Sequence, residues 1–146
     1  MNLLFLDIDG VMVSDEVLSD NGMLYPFSDS CVRVLNMILR TNNVRIILTS
    51  SWRTVFDTNQ QCQIFKENGV IQIPVGQTID IGYKQRNLEI KRYLENRKVE
   101  SFIILDDMFI KGFDDNFVLI DPSTGLTEEH IGKINEILNK YEKARN

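Results

Sequence analysis

Five short apolar runs with helical patterns between them constrain the fold more than any other feature of this sequence. The runs are rich in β-branched residues and are continuous rather than alternating, which is typical of strands covered on both faces. They begin at Leu3, Val44, Ile71, Ser101 and Phe117. Strands that alternate with helices predict right-handed crossovers and a mostly parallel sheet. We therefore expect an α/β fold with helices on both faces of the sheet.

The helical patterns also carry start and stop signals. Residues 28–43 have an apolar stripe with Ser28 or Asp29 as N-cap, and residues 87–98 repeat this pattern. A third helix is predicted from Thr54 to Asn68, ending at Gly69, and the last is predicted to begin near Thr127. Residues 11–25 interrupt this scheme, and their Asp-Asn-Gly favours a tight hairpin turn. That segment predicts a small flap and no large cap domain.

Length and composition favour an ordinary globular protein. The chain has 146 residues with 43% apolar and 25% charged residues, so we expect residues 1–146 to form a single domain. The longest apolar runs are about six residues, far short of the roughly 20 that span a bilayer, and no secretory leader follows Met1. We expect a soluble, cytoplasmic protein that does not bind membranes.

Charge and cysteine content exclude several functions. The net charge of −5 disfavours extended binding of a phosphate backbone, so a nucleic-acid substrate would have to be held at one local point. The two cysteines, Cys31 and Cys62, have no CxxC spacing and lie in apolar helical patterns. They are interpreted as small, reduced core residues rather than zinc or redox groups.

Polar residues follow three of the predicted strands. Asp7 and Asp9 end the first, Thr49 and Ser50 end the second, and Asp106 with Asp107 ends the fourth. Because the carboxyl ends of parallel strands meet at one edge of a sheet, these groups are expected to lie together. Two carboxylates that close resist joint ionisation unless a cation offsets their charge, and Mg²⁺ prefers such oxygen ligands. The alternative is a pair of solvated aspartates before a glycine turn.

These motifs resemble a known family. "DIDGV", "ILTSS", a basic segment before a helix, and "ILDD" are similar to the four motifs of the haloacid dehalogenase-like (HAD) superfamily of phosphotransferases. "LTSSWR", the Arg86, Glu89 and Ile90 pattern, and "GLT" at 125–127 more narrowly resemble the HAD domain of Swiss Army Knife RNA-repair proteins. The resemblance extends from Leu3 to about Thr127 and implies a Rossmann-like, three-layer α/β/α fold.

The resemblance implies a role for each motif. Asp7 would be the nucleophile that forms an aspartyl-phosphate, and Asp9 would be the general acid and then the general base. Thr49 would hydrogen-bond the transferred phosphoryl group, with Ser50 as the less favoured substitute. The Mg²⁺ ligands would be Asp7, the backbone carbonyl of Asp9, and Asp106 with Asp107 beside it.

The basic residue of the third motif stays open among Lys84, Arg86 and Lys91, with Arg86 preferred because it fits the narrower family and Lys84 next. Gly10, Ser50 and Arg53 are the candidate substrate-binding residues, although Arg53 could instead form a surface ion pair. The loop around Thr78 lacks a proline that relatives tend to carry after this threonine.

Two residues near these motifs have simpler interpretations. Trp52 could stack on a base but is more often a core residue in this position. His130 is interpreted as a solvated helix residue with no catalytic role.

The predicted function is a Mg²⁺-dependent phosphomonoesterase without a large cap, acting on a phosphorylated substrate such as a nucleotide or a nucleic-acid end. Two alternatives remain at this point. One is a non-catalytic HAD-like binding module, and the other is a phosphotransferase with an acceptor other than water. The retention of Asp7, Asp9, Thr49 and Asp106 favours an enzyme.

Overall fold

The computed structural model describes residues 1–13, 26–82 and 84–145, and a five-stranded sheet lies at its centre. The strands are β1 (Asn2–Leu6), β2 (Arg45–Leu48), β3 (Gly76–Gln77), β4 (Ser101–Asp106) and β5 (Phe117–Leu119). Every neighbouring pair is parallel, in the order β3-β2-β1-β4-β5. This confirms the predicted Rossmann-like sheet and places β1 at its centre.

Helices cover both faces of the sheet. They are α1 (Asp29–Thr41), α2 (Trp52–Val55), α3 (Thr58–Glu67), α4 (Arg86–Leu94) and α5 (Ile131–Arg145). Along β1, Leu4 and Leu6 pack in the core that includes α1, α3 and α5, whereas Leu3 and Phe5 pack in the core that includes α4. The alternation of side chains along a strand divides the core in this way, and the three-layer α/β/α prediction is confirmed.

The strand predicted from Ile71 is wrong. Residues 71–75 form no strand, and β3 is only the two residues Gly76 and Gln77 at the edge of the sheet. Pro74 has no N–H to donate to a neighbouring strand, so pairing begins only after it, where the Val75 N–H donates to the Ile46 carbonyl at 3.0 Å. The apolar run precedes a strand of the sheet, but its proline prevents the run itself from pairing.

The single helix predicted from Thr54 to Asn68 is also wrong, because α2 and α3 are separate helices. Asp57 begins α3 through a capping box: its side chain accepts from the Gln60 N–H at 2.8 Å, and the Gln60 side chain accepts from the Asp57 N–H at 2.9 Å. The predicted stop at Gly69 is confirmed, since Gly69 follows the helix with a φ of +81°.

The last helix starts where the sequence predicts. Thr127 is the N-cap of a short 3-10 turn at Glu128–His130 that leads into α5. His130 is not simply solvated, because its Nδ1 accepts from the Thr127 N–H at 2.9 Å and it is half-buried. Burial lowers the pKa of His130 despite this contact, so the neutral ring completes the helix cap.

The predicted flap lies almost entirely at residues 14–25, outside the described residues. Within residues 1–13, 26–82 and 84–145, no second unit forms a large cap over the sheet. Among these same residues, no helix combines the length and apolar character needed to cross a bilayer.

Candidate active site

Three predicted site residues stand at the carboxyl ends of neighbouring strands. Asp7 follows β1, Thr49 follows β2, and Asp106 is the last residue of β4. Because Leu6 pairs with Leu48 and with Leu105, the three residues lie beside one another in register. Leu6, Leu48 and Leu105 pack in the core on the α1 face, so alternation directs the next residue of each strand toward α4.

Carboxylate oxygens of Asp7, Asp106 and Asp107 all lie within 4.8 Å of one another, and we call this group the acidic cluster. The Asp7 side chain is 6% exposed and the Asp106 side chain 0% exposed, whereas Asp107 is half-buried. The backbone holds both buried residues in place: the Asp7 N–H donates to the Leu105 carbonyl at 3.2 Å, and the Met108 N–H donates to Asp106 Oδ1 at 2.9 Å.

Burial and mutual repulsion disfavour the charged forms of this cluster. Burial, followed by the negative charge of Asp106, raises the pKa of Asp7 from 3.8 to about 8, although Arg86 acts in the opposite direction. Burial likewise raises the pKa of Asp106, although Arg86 acts in the opposite direction. The cluster therefore lacks positive charge, and a bound cation would provide it.

Arg86 contacts two carboxylates of the acidic cluster. Its Nη1 donates to Asp106 Oδ2 at 2.7 Å and lies 3.4 Å from Asp7 Oδ2. Burial lowers the pKa of Arg86, but the charges of Asp7 and Asp106 outweigh this and raise it above the usual value. Lys84 precedes α4 with an exposed side chain, and Lys91 is exposed further along α4. The geometry favours Arg86, the preferred residue of the three.

Asp9 differs from Asp7 in its exposure, although only Ile8 separates the two residues. Strand β1 ends at Leu6, so the alternation that would put both aspartates on one face does not extend to Asp9. Asp9 is exposed, and its side chain is not part of the acidic cluster. An exposed carboxyl group can reach a leaving group or a water, so its predicted role in proton transfer remains a prediction.

Gly10 permits the close approach of Asp107. Its φ of +82° is a backbone conformation that favours glycine, and a Cβ at this position would lie 2.4 Å from Asp107 Oδ2. Gly10 therefore shapes the acidic cluster, which explains why a glycine follows the two aspartates. Its predicted contact with substrate stays a prediction.

Thr49 has a hydroxyl group with no partner among the described residues. The residue is fully buried, and its N–H donates to the Leu6 carbonyl at 3.0 Å. Thr78 is equally buried and its hydroxyl group also has no partner in the described part of the chain. An unpaired buried hydroxyl group is costly, so Thr49 fits its predicted role as a donor to a phosphoryl group. Ser50 instead accepts the Trp52 N–H at 3.2 Å.

Arg53 is buried and is not a surface ion pair. Its Nη2 lies 2.5 Å from Glu89 Oε2, and Nη1 donates to the carbonyl groups of Thr49 and Ser50. Sequence reasoning noted Glu89 as part of a motif but gave it no role. The signal was its position three residues after Arg86, which puts both side chains on the same side of a helix.

Trp52 packs against the core and Cys31 lies in it, as interpreted from the sequence, whereas Cys62 is not among the buried core residues. Trp52 is half-buried and packs on Phe27 and Phe56, with ring centroids 5.9 Å and 5.4 Å away. Cys31 and Cys62 are free thiols, the first buried and the second half-buried.

A cleft of about 320 Å³ adjoins the acidic cluster and shares Arg86 with it. Met108 and Ile110 form an apolar wall, while Arg53, Glu89 and Lys84 contribute charged groups. The volume lies at the lower end of the range for small-molecule sites. The cleft could therefore hold a compact group beside the carboxylates.

The residues of the acidic cluster fit a divalent cation. Within the part of the chain that the structure describes, Arg86 contacts a cluster of three carboxylates, and such oxygen ligands suit Mg²⁺. The carboxylate oxygens of Asp7 and Asp106 lie close enough to bind the same metal ion.

Comparison with known families identifies a match over most of the chain. A family described as the HAD domain in Swiss Army Knife RNA repair proteins matches residues 3–131. Searches of the curated proteins and of the solved structures gave no significant match.

Proposed function

Because the chain belongs to the family of HAD domains found in Swiss Army Knife RNA repair proteins, we propose that it is a Mg²⁺-dependent phosphomonoesterase. The observation that carries this proposal is the acidic cluster, in which Asp7, Asp106 and Asp107 converge within 4.8 Å beside Arg86. The family assignment points to phosphatase-type hydrolases, and the cluster supplies the groups that such chemistry needs.

The proposed reaction has two steps. A carboxylate oxygen of Asp7 attacks phosphorus, the bond to the leaving oxygen breaks, and Asp9 gives that oxygen a proton. Asp9 then takes a proton from a water molecule whose oxygen attacks the aspartyl-phosphate. Inorganic phosphate leaves and the Asp7 carboxylate is restored.

Charge stabilisation supplies most of the catalysis in phosphoryl transfer. Asp7, Asp106 and Asp107 would hold Mg²⁺, with the Asp9 carbonyl as a further ligand. When bound, the ion would neutralise charge on the phosphoryl oxygens. Arg86, with Nη1 3.4 Å from Asp7 Oδ2, stabilises the ionised form of Asp7. The buried Thr49 hydroxyl group is available to donate to a phosphoryl oxygen.

The substrate is proposed to be a nucleotide or a nucleic-acid end. The family's occurrence in RNA repair proteins supports this class, and the cleft beside Arg86 can receive a compact leaving group. The net charge of −5 argues against extended contacts with a phosphate backbone. Recognition of one terminal phosphate and its nearest nucleoside agrees with both observations.

The test compares wild type and Asp7→Asn with an aryl phosphate, with Mg²⁺ and after chelation. We expect Mg²⁺-dependent hydrolysis by wild type and a loss of about 10⁴-fold or more in the variant, because a nucleophile has no substitute. Equal background rates would instead indicate a non-catalytic module. Oligonucleotides with 3′- or 5′-phosphates, mononucleotides and sugar phosphates then identify the substrate.

A further inference from the structure

A buried ion pair on the α4 side of the sheet joins three segments that surround the acidic cluster. Arg53 is 5% exposed and Glu89 3% exposed in their side chains, and Arg53 Nη2 lies 2.5 Å from Glu89 Oε2. Neither residue belongs to the acidic cluster, and the proposed reaction leaves both unused.

Arg53 binds the turn that carries the phosphate-binding threonine. Its Nη1 donates to the Thr49 carbonyl and, at 2.9 Å, to the Ser50 carbonyl. Planar guanidinium groups hold several acceptors in a fixed geometry. The peptide group that follows Thr49 therefore has little freedom to rotate.

Glu89 extends this connection to α4 and to the loop before it. It lies three residues after Arg86, so the two side chains share one side of the helix. Its Oε2 also accepts from the Ile81 N–H at 2.9 Å. A shift of α4 relative to the Thr49 turn would break several hydrogen bonds at the pair.

Stability alone is a poor reason for such a pair. Removing charges from water is costly, and well-packed apolar residues often replace a buried ion pair without loss of stability. The contacts of this pair instead converge on the two elements that carry Thr49 and Arg86.

We infer that Arg53 and Glu89 are positioning residues that hold the Thr49 turn and the Arg86-bearing helix in the geometry needed for phosphoryl transfer. The inference rests on the proposed phosphatase activity. It replaces direct substrate binding as the main role of Arg53, whose guanidinium group is engaged with Glu89 and two carbonyl groups.

The test uses the double variant Arg53→Met/Glu89→Leu, which removes both charges together and avoids a lone buried charge. With an aryl phosphate and Mg²⁺, kcat should fall about 10- to 100-fold with KM little changed, because small misplacements of reacting groups slow the chemical step. The thermal unfolding midpoint should stay near that of wild type.

Asn36→Leu is the matched control. Asn36 is buried on α1, across the sheet from the acidic cluster, and bridges Gly69 and Ile71, so its loss should lower the unfolding midpoint without changing kcat. If the double variant does not fold, Arg53→Lys replaces it, since lysine keeps the charge but cannot reproduce the planar contacts.

A second readout does not require activity. The NMR signals of the Thr49 amide and the Arg86 Nε–H should shift in the double variant and stay unchanged in the Asn36→Leu control. An active wild type whose double variant keeps both kcat and these signals would overturn the inference, and a raised KM at unchanged kcat would make Arg53 a substrate-binding residue. An inactive wild type with shifted signals would overturn the phosphatase proposal and leave the positioning contact standing.

Discussion

Two groups of buried charges lie on the α4 side of the sheet, and they differ in charge balance. Among the described residues, three carboxylates of the acidic cluster lie beside Arg86, whereas Arg53 pairs with the buried Glu89 at 2.5 Å and lies 3.9 Å from the exposed Asp80. The oxygen atoms of Glu89 and the nitrogen atoms of Arg53 also bind backbone groups, including the Ile81 N–H and the Ser50 carbonyl.

The difference separates a ligand site from a structural support. In the acidic cluster, the pKa of Asp7 is raised to about 8, because burial and repulsion disfavour its charge. A protein can retain a carboxylate whose ionisation is unfavourable when a bound ligand offsets its charge. The charges of Arg53 and Glu89 offset each other without a ligand, which suits the pair to hold other groups in place.

After the loss expected for Asp7→Asn, the next largest effect is expected at Asp9, whose side chain lies outside the acidic cluster. Asp9→Asn should lower kcat by about 10²- to 10⁴-fold, because a positioned acid and base is lost. Stabilisation of the fold by Mg²⁺, measured as a rise in the unfolding midpoint, should be unchanged, since the Asp9 side chain is exposed and outside the cluster. Loss of this Mg²⁺ effect would show that the Asp9 carboxylate belongs to the metal site.

Removing one charge should lower stability at the pair of Arg53 and Glu89 and raise it in the acidic cluster. Glu89→Leu leaves the buried Arg53 with only the exposed Asp80, 3.9 Å away, as a counter-charge and should lower the free energy of unfolding by about 3 kcal/mol. Denaturant titration measures this loss, with Arg53→Met/Glu89→Leu as the matched control. If the single and double variants are equally unstable, lost packing rather than lone charge explains the result.

Without divalent ions, Asp7→Asn should raise the free energy of unfolding at pH 8, because it removes a buried carboxyl group whose ionisation is unfavourable. The folded carboxyl group titrates at about 8 and the ordinary value is 3.8, so the folded state binds more protons between these pH values. Wild-type stability should therefore fall as pH rises through this window, and the variant should show a flatter profile. Asp9→Asn is the exposed control, and an unchanged profile in Asp7→Asn would contradict the charge deficit.

A smaller effect is expected at Gly10. Gly10→Ala places a Cβ 2.4 Å from Asp107 Oδ2 and requires a side chain at a φ of +82°, so stability should fall by about 1 kcal/mol or more. Gly69→Ala is the matched control, because Gly69 has a φ of +81° and nothing within 4 Å of the added Cβ. Mg²⁺ affinity should weaken only in Gly10→Ala. Equal affinity in both variants would mean that Asp107 is dispensable.

Periodicity predicts most of the sheet because buried parallel strands have a distinctive apolar pattern. The runs that begin at Leu3, Val44, Ser101 and Phe117 start within one residue of β1, β2, β4 and β5. The errors occur where one residue overrides a pattern: Pro74 prevents pairing, and the Asp57 cap divides a helix. Such interruptions of a strand or helix depend on single side chains, which the spacing of apolar residues does not reveal.

The site could be predicted as far as strand ends determine it. Asp7, Thr49 and Asp106 converge because parallel strands end at one edge of the sheet. The choice of Arg86 over Lys84 depended on a resemblance, and only the geometry of α4 explains the contact. The partner of Arg53 is 36 residues away in sequence, and no local pattern predicts it.

Calorimetric titration of Mg²⁺ into wild type and Asp106→Asn tests the central claim most directly. We expect one bound Mg²⁺ per chain in wild type and loss of that binding in the variant, because Asp106 is a fully buried member of the acidic cluster. Wild type that binds no Mg²⁺, or a variant that binds it equally well, would contradict the claim that these carboxylates form a metal site.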